Sequence, residues 1–413
     1  MIKKNTHSAT VAHIIDRKLC NGCGACSVVC PKNCITLIQG KRYNYARLNP
    51  ESCTHCGRCL RVCPGAFLLK GITPHFDGDS LEQNSECLLI HSTNDTIRFD
   101  AASGGFVTGI ILYLMDQKEC DGAIVARTSQ ADPLHNESFL ALTREELLDA
   151  RGSRYAPVSN CVALKDVIGK KGRYVFVGTP CQIEGLVNLQ KYYPELRENI
   201  ILKIGFICLG TASRTSTRSY LAKYDVDIEK IGKISYRGNG WPGSFTVLDK
   251  DNNVLLRRPL LEYINNTVIG DELRHLVPQD HYLRCRNCRD HWAWFADIAV
   301  SDPWCHKELA SERIGKSAIA LRTVKGQSIV HRAIKDNYFV ADPITPADIS
   351  DHQKTLVRYS QQCRESWMPL YQMLFMKKIV NPLGIVKNRG RGLSSIMKEF
   401  KNKNYYNEPE LLA

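Results

Sequence analysis

Cys20-Asn-Gly-Cys23-Gly-Ala-Cys26-Ser-Val-Val-Cys30-Pro31 returns 33 residues later as Cys53-Thr-His-Cys56-Gly-Arg-Cys59-Leu-Arg-Val-Cys63-Pro64. The spacing is the same in both runs. Three thiols separated by two residues each can be turned inward by one tight loop, onto one polynuclear centre, while the loop amides point at its sulfur atoms. Gly22, Gly24 and Gly57 suit such loops, because glycine accepts positive φ and close backbone approach. Pro31 and Pro64 follow the fourth cysteine of each run and redirect the chain. Zinc is the competing occupant, but zinc sites use pairs of ligands rather than a tripled and repeated run.

This is the bacterial ferredoxin arrangement C-x2-C-x2-C-x3-C-P, in which three close thiolates hold one [4Fe-4S] cluster and the fourth cysteine ligates the other. It predicts cluster one on Cys20, Cys23, Cys26 and Cys63, and cluster two on Cys53, Cys56, Cys59 and Cys30. The runs form an internal repeat about a pseudo-two-fold, with ITLI (35–38) and AFLL (66–69) as matching apolar segments. A small α+β ferredoxin-like two-cluster domain is expected over 1–75. Cys34 falls outside the pattern and is expected to be a small buried apolar side chain.

Composition sets the surroundings. At 413 residues, 44% hydrophobic and 23% charged, the chain is globular and long enough for two or three units. Eighteen cysteines in a chain whose start lacks the apolar core of a signal peptide point to metal ligation in a reducing cytoplasm, not to disulfides. No apolar run reaches the ~20 residues of a membrane span, so no transmembrane segment is expected. The net charge of +13 suits an acidic partner protein such as a ferredoxin, a phosphorylated substrate or an anionic membrane face; scattered solvated lysines are the plainer reading.

From about residue 85 apolar runs alternate with polar, periodic stretches, the pattern of an α/β domain. Short β-branched runs at 122–126, 174–177, 202–207, 298–300 and 318–321 read as buried strands. In open α/β sheets the carboxyl ends of strands carry the ligands. Those ends read Gly178-Thr-Pro-Cys181-Gln182, Cys208-Leu-Gly210 and Ser301-Asp302-Pro-Trp304, and Cys285-Arg-Asn-Cys288 lies just upstream of the fourth strand. Cys181, Cys208, Cys285 and Cys288 could converge on a third cluster, with Cys305 as a substitute. On residues alone, a zinc site, thiol redox chemistry and core filling remain open. Cys87, Cys120, Cys161 and Cys363 read as structural. Ser103-Gly104-Gly105, ahead of the apolar run 106–115, places glycines and amides at a helix N-terminus, where a phosphate is stabilised. Arg151-Gly-Ser153-Arg154-Tyr155 is a second candidate anion site.

Collectively these residues resemble the family of coenzyme F420 hydrogenase/dehydrogenase beta subunits. The resemblance runs to about residue 375 and is carried by Ser103-Gly104-Gly105 with Thr108, Arg151 to Tyr155, Gly178 to Gln182, Cys208, Tyr236-Arg-Gly-Asn-Gly-Trp241-Pro-Gly243, Cys285-x-x-Cys288, Ala296-Asp297-Ile298 and Ser301-Asp302-x-Trp304. It implies an α/β flavin-binding domain over 85–375, FAD held by Ser103, Gly104, Gly105, Thr108, Ser153 and Arg154, and a third [4Fe-4S] cluster on Cys181, Cys208, Cys285 and Cys288. Asp297 and Asp302 are expected to orient the cluster loop or the flavin, or to cap strand ends.

The function this implies is an oxidoreductase that passes electrons between the ferredoxin-type clusters and FAD, and exchanges two electrons with a small-molecule acceptor such as coenzyme F420 or an unsaturated substrate. Tyr155, Trp241 and Arg237 are candidates for the acceptor side. The alternative is a non-catalytic electron-transfer subunit serving another oxidoreductase subunit. A nucleic-acid module would draw on the charge but leaves the doubled cysteine run unexplained. Residues 376–413 form a basic tail, with eight Lys or Arg and one acid between Lys377 and Lys403, expected to be a solvated tail, a peripheral membrane contact or a dock for an acidic partner.

Overall fold

The computed structural model describes residues 10–66, 85–267, 281–285, 288, 290–304 and 310–353. Residues 67–69 of the AFLL segment, Cys305, Cys363 and the basic tail lie outside them.

Each cysteine run folds as expected of its glycines. Gly22, Gly24 and Gly57 take φ of 67°, 94° and 71°, so the chain doubles back between successive thiols. Short helices, Ala25–Val28 and Arg58–Val62, follow. Between the runs, ITLI opens strand β1 (Ile35–Gln39), which pairs antiparallel with β2 (Asn44–Leu48).

The larger unit is built on an eight-stranded sheet. Its strands are β3 (Glu86–Ser92), β4 (Gly122–Thr128), β5 (Asn136–Ala141), β6 (Tyr174–Gly178), β7 (Ile200–Phe206), β11 (Ile298–Ser301), β12 (Ser317–Leu321) and β13 (Phe339–Ile344), ordered β13-β3-β12-β11-β7-β6-β4-β5. The central β11, β7, β6 and β4 run parallel, and antiparallel strands complete both flanks. All five expected runs are strands. The sheet sorts its side chains by alternation. Val125, Val175 and Val177 face the helices Phe106–Asp116 and Val324–Lys335, while Ile124 and Phe176 face the helix Pro180–Leu189 and the module of the cysteine runs. A second lobe, the antiparallel sheet β8 (Ile231–Ser235), β9 (Ser244–Asp249) and β10 (Val254–Pro259), encloses its own core with the helices Arg214–Ala222 and Leu260–Thr267.

The cysteine module is not a bead on a linker. Ala25, Val28, Val29 and Val62 are buried in the same core as Ile183, Leu186 and Leu189. Tyr282 and Leu283, just ahead of Cys285, are buried in the module's own core. A shared apolar core of this kind fixes the module against the sheet.

Candidate functional site

The thiols assigned to cluster one, Cys20, Cys23, Cys26 and Cys63, are 6–8% exposed. Burial holds the Cys20 thiol up at about 11 and those of Cys26 and Cys63 well above the ordinary range, and a bound cationic centre is the kind of partner that favours their thiolate form. Backbone amides of Gly22 and Ala46 point at Cys20, and those of Gly65 and Ala66 at Cys63. These are the N–H contacts that stabilise charge on cluster sulfur. The cluster-two set is more open. Cys59 is buried, Cys30 and Cys53 half-buried and Cys56 exposed. Cys34 is buried, as expected, but its Sγ lies 3.3 Å from that of Cys30.

The strand ends converge. Thr179 follows β6 and caps the next helix, its amide donating to Gln182 Oε1 at 2.8 Å, with Pro180 in the first turn. That geometry sets Cys181 in the first turn, where Thr179 Oγ1 lies 3.3 Å from its sulfur. Cys208 follows β7, pinned by its amide to the His291 carbonyl at 2.9 Å and by His291 Nδ1 on its own carbonyl at 2.8 Å. Cys288 stands one turn after Cys285, its amide on the Cys285 carbonyl at 3.1 Å. All four thiols line one cavity of about 1540 Å³. Burial raises Cys181 and Cys208 well above the ordinary thiol range, with the other thiols of the set adding to it.

Among the described residues no three Cys, His, Asp or Glu side chains close on a point fit for one metal ion. A cuboidal cluster asks for something else, one soft thiolate per iron around its corners, and four cysteines around a shared cavity meet that demand.

Arg284 was missed by sequence reasoning. It is 6% exposed, lies against Cys288, Cys181 and Cys285 and donates to the Pro64 carbonyl at 3.4 Å. The signal was its place directly before the C-x-x-C pair. A fixed cation here favours thiolates on one side and reaches the cluster-one loop on the other.

The same cavity receives the other candidates. Ser103, Gly105, Thr108, Ser153 and Arg154 line it. Gly105 has φ of 74° and no side chain caps the helix that follows, so its first turn offers uncapped amides at the wall. Gly104 does not line the cavity. Its amide donates to Ser317 Oγ at 3.0 Å, and a Cβ there would stand 2.4 Å from the Ile90 carbonyl oxygen; its role is close packing of the loop on β3 and β12. Arg154 Nη1 donates to the carbonyls of Arg151, Gly152 and Ser153, while its Nε is shielded from solvent without a partner among the described residues. Burial brings this guanidinium down to about 10. The buried Asn160, another lining residue, gives its amide to the Val177 carbonyl at 2.8 Å and leaves Oδ1 unpartnered among the described residues.

Asp297 lies elsewhere, before β11, where it accepts from the Lys203 amide and ammonium and from Thr323; it ties strands together. Asp302 lines the cavity and pairs with the buried Arg237, which lies against the rings of both Trp241 and Trp304, themselves in contact at 4.9 Å between centroids. Of the three acceptor-side candidates, only Tyr155 lines the cavity; Arg237 and Trp241 pack behind it.

Comparison with known proteins follows the same division. The family "Coenzyme F420 hydrogenase/dehydrogenase, beta subunit" matches through its N-terminal part over residues 87–165 and its C-terminal part over 171–347. The chain belongs to this family. Ahead of the F420 hydrogenase/dehydrogenase beta-subunit region it carries a 4Fe-4S dicluster domain over residues 12–68. It is 27% identical to the coenzyme F420 hydrogenase beta subunit of Methanothermobacter thermautotrophicus over 63% of this chain and 84% of that one. It is also 27% identical to the coenzyme F420-dependent sulfite reductase of Methanocaldococcus jannaschii, over 76% of this chain but 46% of that protein. The coenzyme F420 hydrogenase beta subunit of Methanococcus voltae is 26% identical over 59% of this chain and 79% of its own length. In fold, the chain is similar to part of the F420-reducing [NiFe] hydrogenase complex of Methanosarcina barkeri, with a TM-score of 0.51 and 22% identity, covering 70% of this chain and 93% of that one. No described helix is long and apolar enough to cross a membrane.

Proposed function

We propose that this family member is an iron-sulfur flavoprotein oxidoreductase with three [4Fe-4S] clusters and one FAD. The carrying observation is that Cys181, Cys208, Cys285 and Cys288 line one cavity with Ser103, Gly105, Thr108, Ser153 and Arg154. That cavity, at about 1540 Å³, exceeds the ~300–1,000 Å³ of ordinary small-molecule pockets, leaving room for a cluster, a flavin and an acceptor. The unpartnered Nε of Arg154 and Oδ1 of Asn160 are a donor and an acceptor that a polar cofactor would satisfy.

In this reading the first turn of the helix Phe106–Asp116 and Thr108 hold the pyrophosphate by amides and helix dipole. Gly104 fixes that loop through its backbone, Ser153 and Arg154 hold the cofactor from the opposite wall, and Tyr155 and Trp304 border the space left for the acceptor. When bound, FAD supplies exchange of single electrons on one side and of a hydride on the other. Cys23 lies beside Cys181, which makes cluster one the inner relay and the more exposed cluster two the outer one. Coenzyme F420 and unsaturated small molecules are the acceptors to try first. Relatives named as subunits favour the second reading, in which another protein of a complex does the chemistry.

Iron, sulfide, zinc and flavin analysis of anaerobically purified chain tests this. About twelve irons and one FAD are expected. About eight irons without flavin would remove the third cluster and the FAD, and zinc in place of iron would remove the whole scheme. Turnover of F420 by the isolated chain separates the enzyme from the relay.

A further inference from the structure

The cysteine module presents a one-sided charge to solvent. Its described residues 10–66 hold eight lysines and arginines against two carboxylates, Asp16 and Glu51. The distribution follows the clusters. Around cluster one the surface is closed by the α/β unit. Around cluster two it opens, with Thr54, His55 and Cys56 exposed and Lys32, Arg58 and Arg61 exposed beside them. Lys32 and Arg58 border the same cleft as Cys30, Cys53, Cys56 and Cys59.

Two of these cations are held in place without being neutralised. Arg61 donates to the Cys56 carbonyl at 3.0 Å and to Tyr192 Oη at 2.6 Å, and the Arg58 guanidinium lies 5.6 Å over the Tyr192 ring. Among the described residues no carboxylate pairs with Lys32, Arg58 or Arg61. A structural surface usually intersperses signs. Here Lys32, Arg58 and Arg61 stand beside the cluster ligand that solvent reaches most freely, with Glu51, two residues before Cys53, as the exposed carboxylate closest to it in the chain.

We propose that this face is the electron port of the protein and docks a small acidic protein that carries one electron. The inference rests on the cluster-two assignment made above and adds the place, the sign and the class of partner. In the step itself one electron leaves the reduced carrier, which is oxidised, and enters cluster two, which is reduced by one electron; no bond forms and no proton moves. Complementary charge steers the encounter and orients the carrier's exposed edge on Cys56, an effect that grows at low salt and fades once the Debye length falls below the spacing of the patch.

The test follows cluster bleaching by stopped flow, using intact anaerobic protein and an acidic two-cluster bacterial ferredoxin as donor, with reduced methyl viologen as a small donor in parallel. The variant Lys32→Glu/Arg58→Glu should lower the ferredoxin rate constant by about tenfold or more at low salt, retain wild-type iron content, and keep its rate with methyl viologen. Raising the salt should slow the wild type toward the variant. Lys250→Glu, in the β9–β10 turn, should leave the ferredoxin rate unchanged. Equal ferredoxin rates for wild type and double variant, or an equal loss in Lys250→Glu, would overturn the port while leaving the iron count, and so the cluster assignment, intact. Wild-type protein without iron in the module would overturn both.

Discussion

Gly185 stands four residues after Cys181 on one helix, and its Cα is pressed between three side chains of the module and its surroundings. A Cβ there would lie 3.2 Å from Ala25 Cβ, 3.2 Å from Cys161 Sγ and 3.7 Å from Cys23 Sγ. One helical turn thus joins a thiol of the cavity to a thiol of cluster one, and the absence of a side chain sets how close they come. Gly185→Ala gains helix propensity of about 1 kcal/mol against a tight contact, so its melting temperature should change little. Gly185→Leu must push the module outward and should cost about 1–3 kcal/mol. Its melting temperature should fall, and reduction of cluster one should uncouple from the cavity in a stopped-flow trace. Unchanged melting in the leucine variant would mean the junction is loose.

The two cysteines Cys56 and Cys34 should part company on mutation. Cys56 is exposed, so Cys56→Ser should disturb little packing of its own and remove or alter one cluster, seen in iron content and in the EPR spectrum of the reduced protein. Cys34 is buried against Cys30, and Cys34→Ala should keep the wild-type iron count. Its cost should be that of a small cavity, about 1 kcal/mol. Full iron and an unaltered EPR signal in Cys56→Ser would show the cluster-two assignment to be wrong.

Much of this was legible in the chain. The cysteine runs set their own loops because glycine at positive φ and thiol spacing are local properties, and the five apolar runs became strands because continuous β-branched segments have few alternatives. Other features depend on partners distant in sequence. β13 is half-exposed and carries Asp342 and Pro343, so its composition hides a strand that only pairing with β3 creates. Gly104 read as a phosphate-facing amide, yet Ser317, 213 residues away, takes that donor. Arg284 and Asn160 entered the site through tertiary packing, and no periodicity marks them. Of the roles expected for Asp297, orienting the cluster loop or the flavin or capping a strand end, the structure shows the last, because the sheet turns that end away from the cavity and onto Lys203.

Arg154 should matter for cofactor retention more than for folding. Its three bonds to the carbonyls of residues 151–153 shape the loop, and its Nε remains free for a ligand. Arg154→Ala should lower flavin stoichiometry in purified protein at least several-fold, while iron content stays at the wild-type level. Arg154→Lys keeps the charge but loses the planar fork, and should retain an intermediate amount. Wild-type flavin content in the alanine variant would take Arg154 out of the cofactor site.

Glu312 gives the rim of the cavity a pH dependence. Burial alone would raise its pKa, but the amides of Gly315 and Ile314, the Arg98 guanidinium and the amide of Arg313 together hold the carboxyl below its ordinary value. One oxygen accepts from all three amides at 2.8–3.0 Å, and Arg98 bonds both oxygens at 3.2 and 3.3 Å. Because the folded pKa lies below the unfolded value of 4.5, the carboxylate's contribution is fully present above that pH and is lost as pH falls through the depressed folded value. Glu312→Gln keeps the shape and removes the charge. It should lower stability near neutral pH by about 1–3 kcal/mol, and the gap between variant and wild type should close on acidification below pH ~4. Denaturant melts at neutral pH and at progressively lower pH measure this directly; a gap that stays constant throughout would mean that the loop is held by shape and not by the carboxylate's charge.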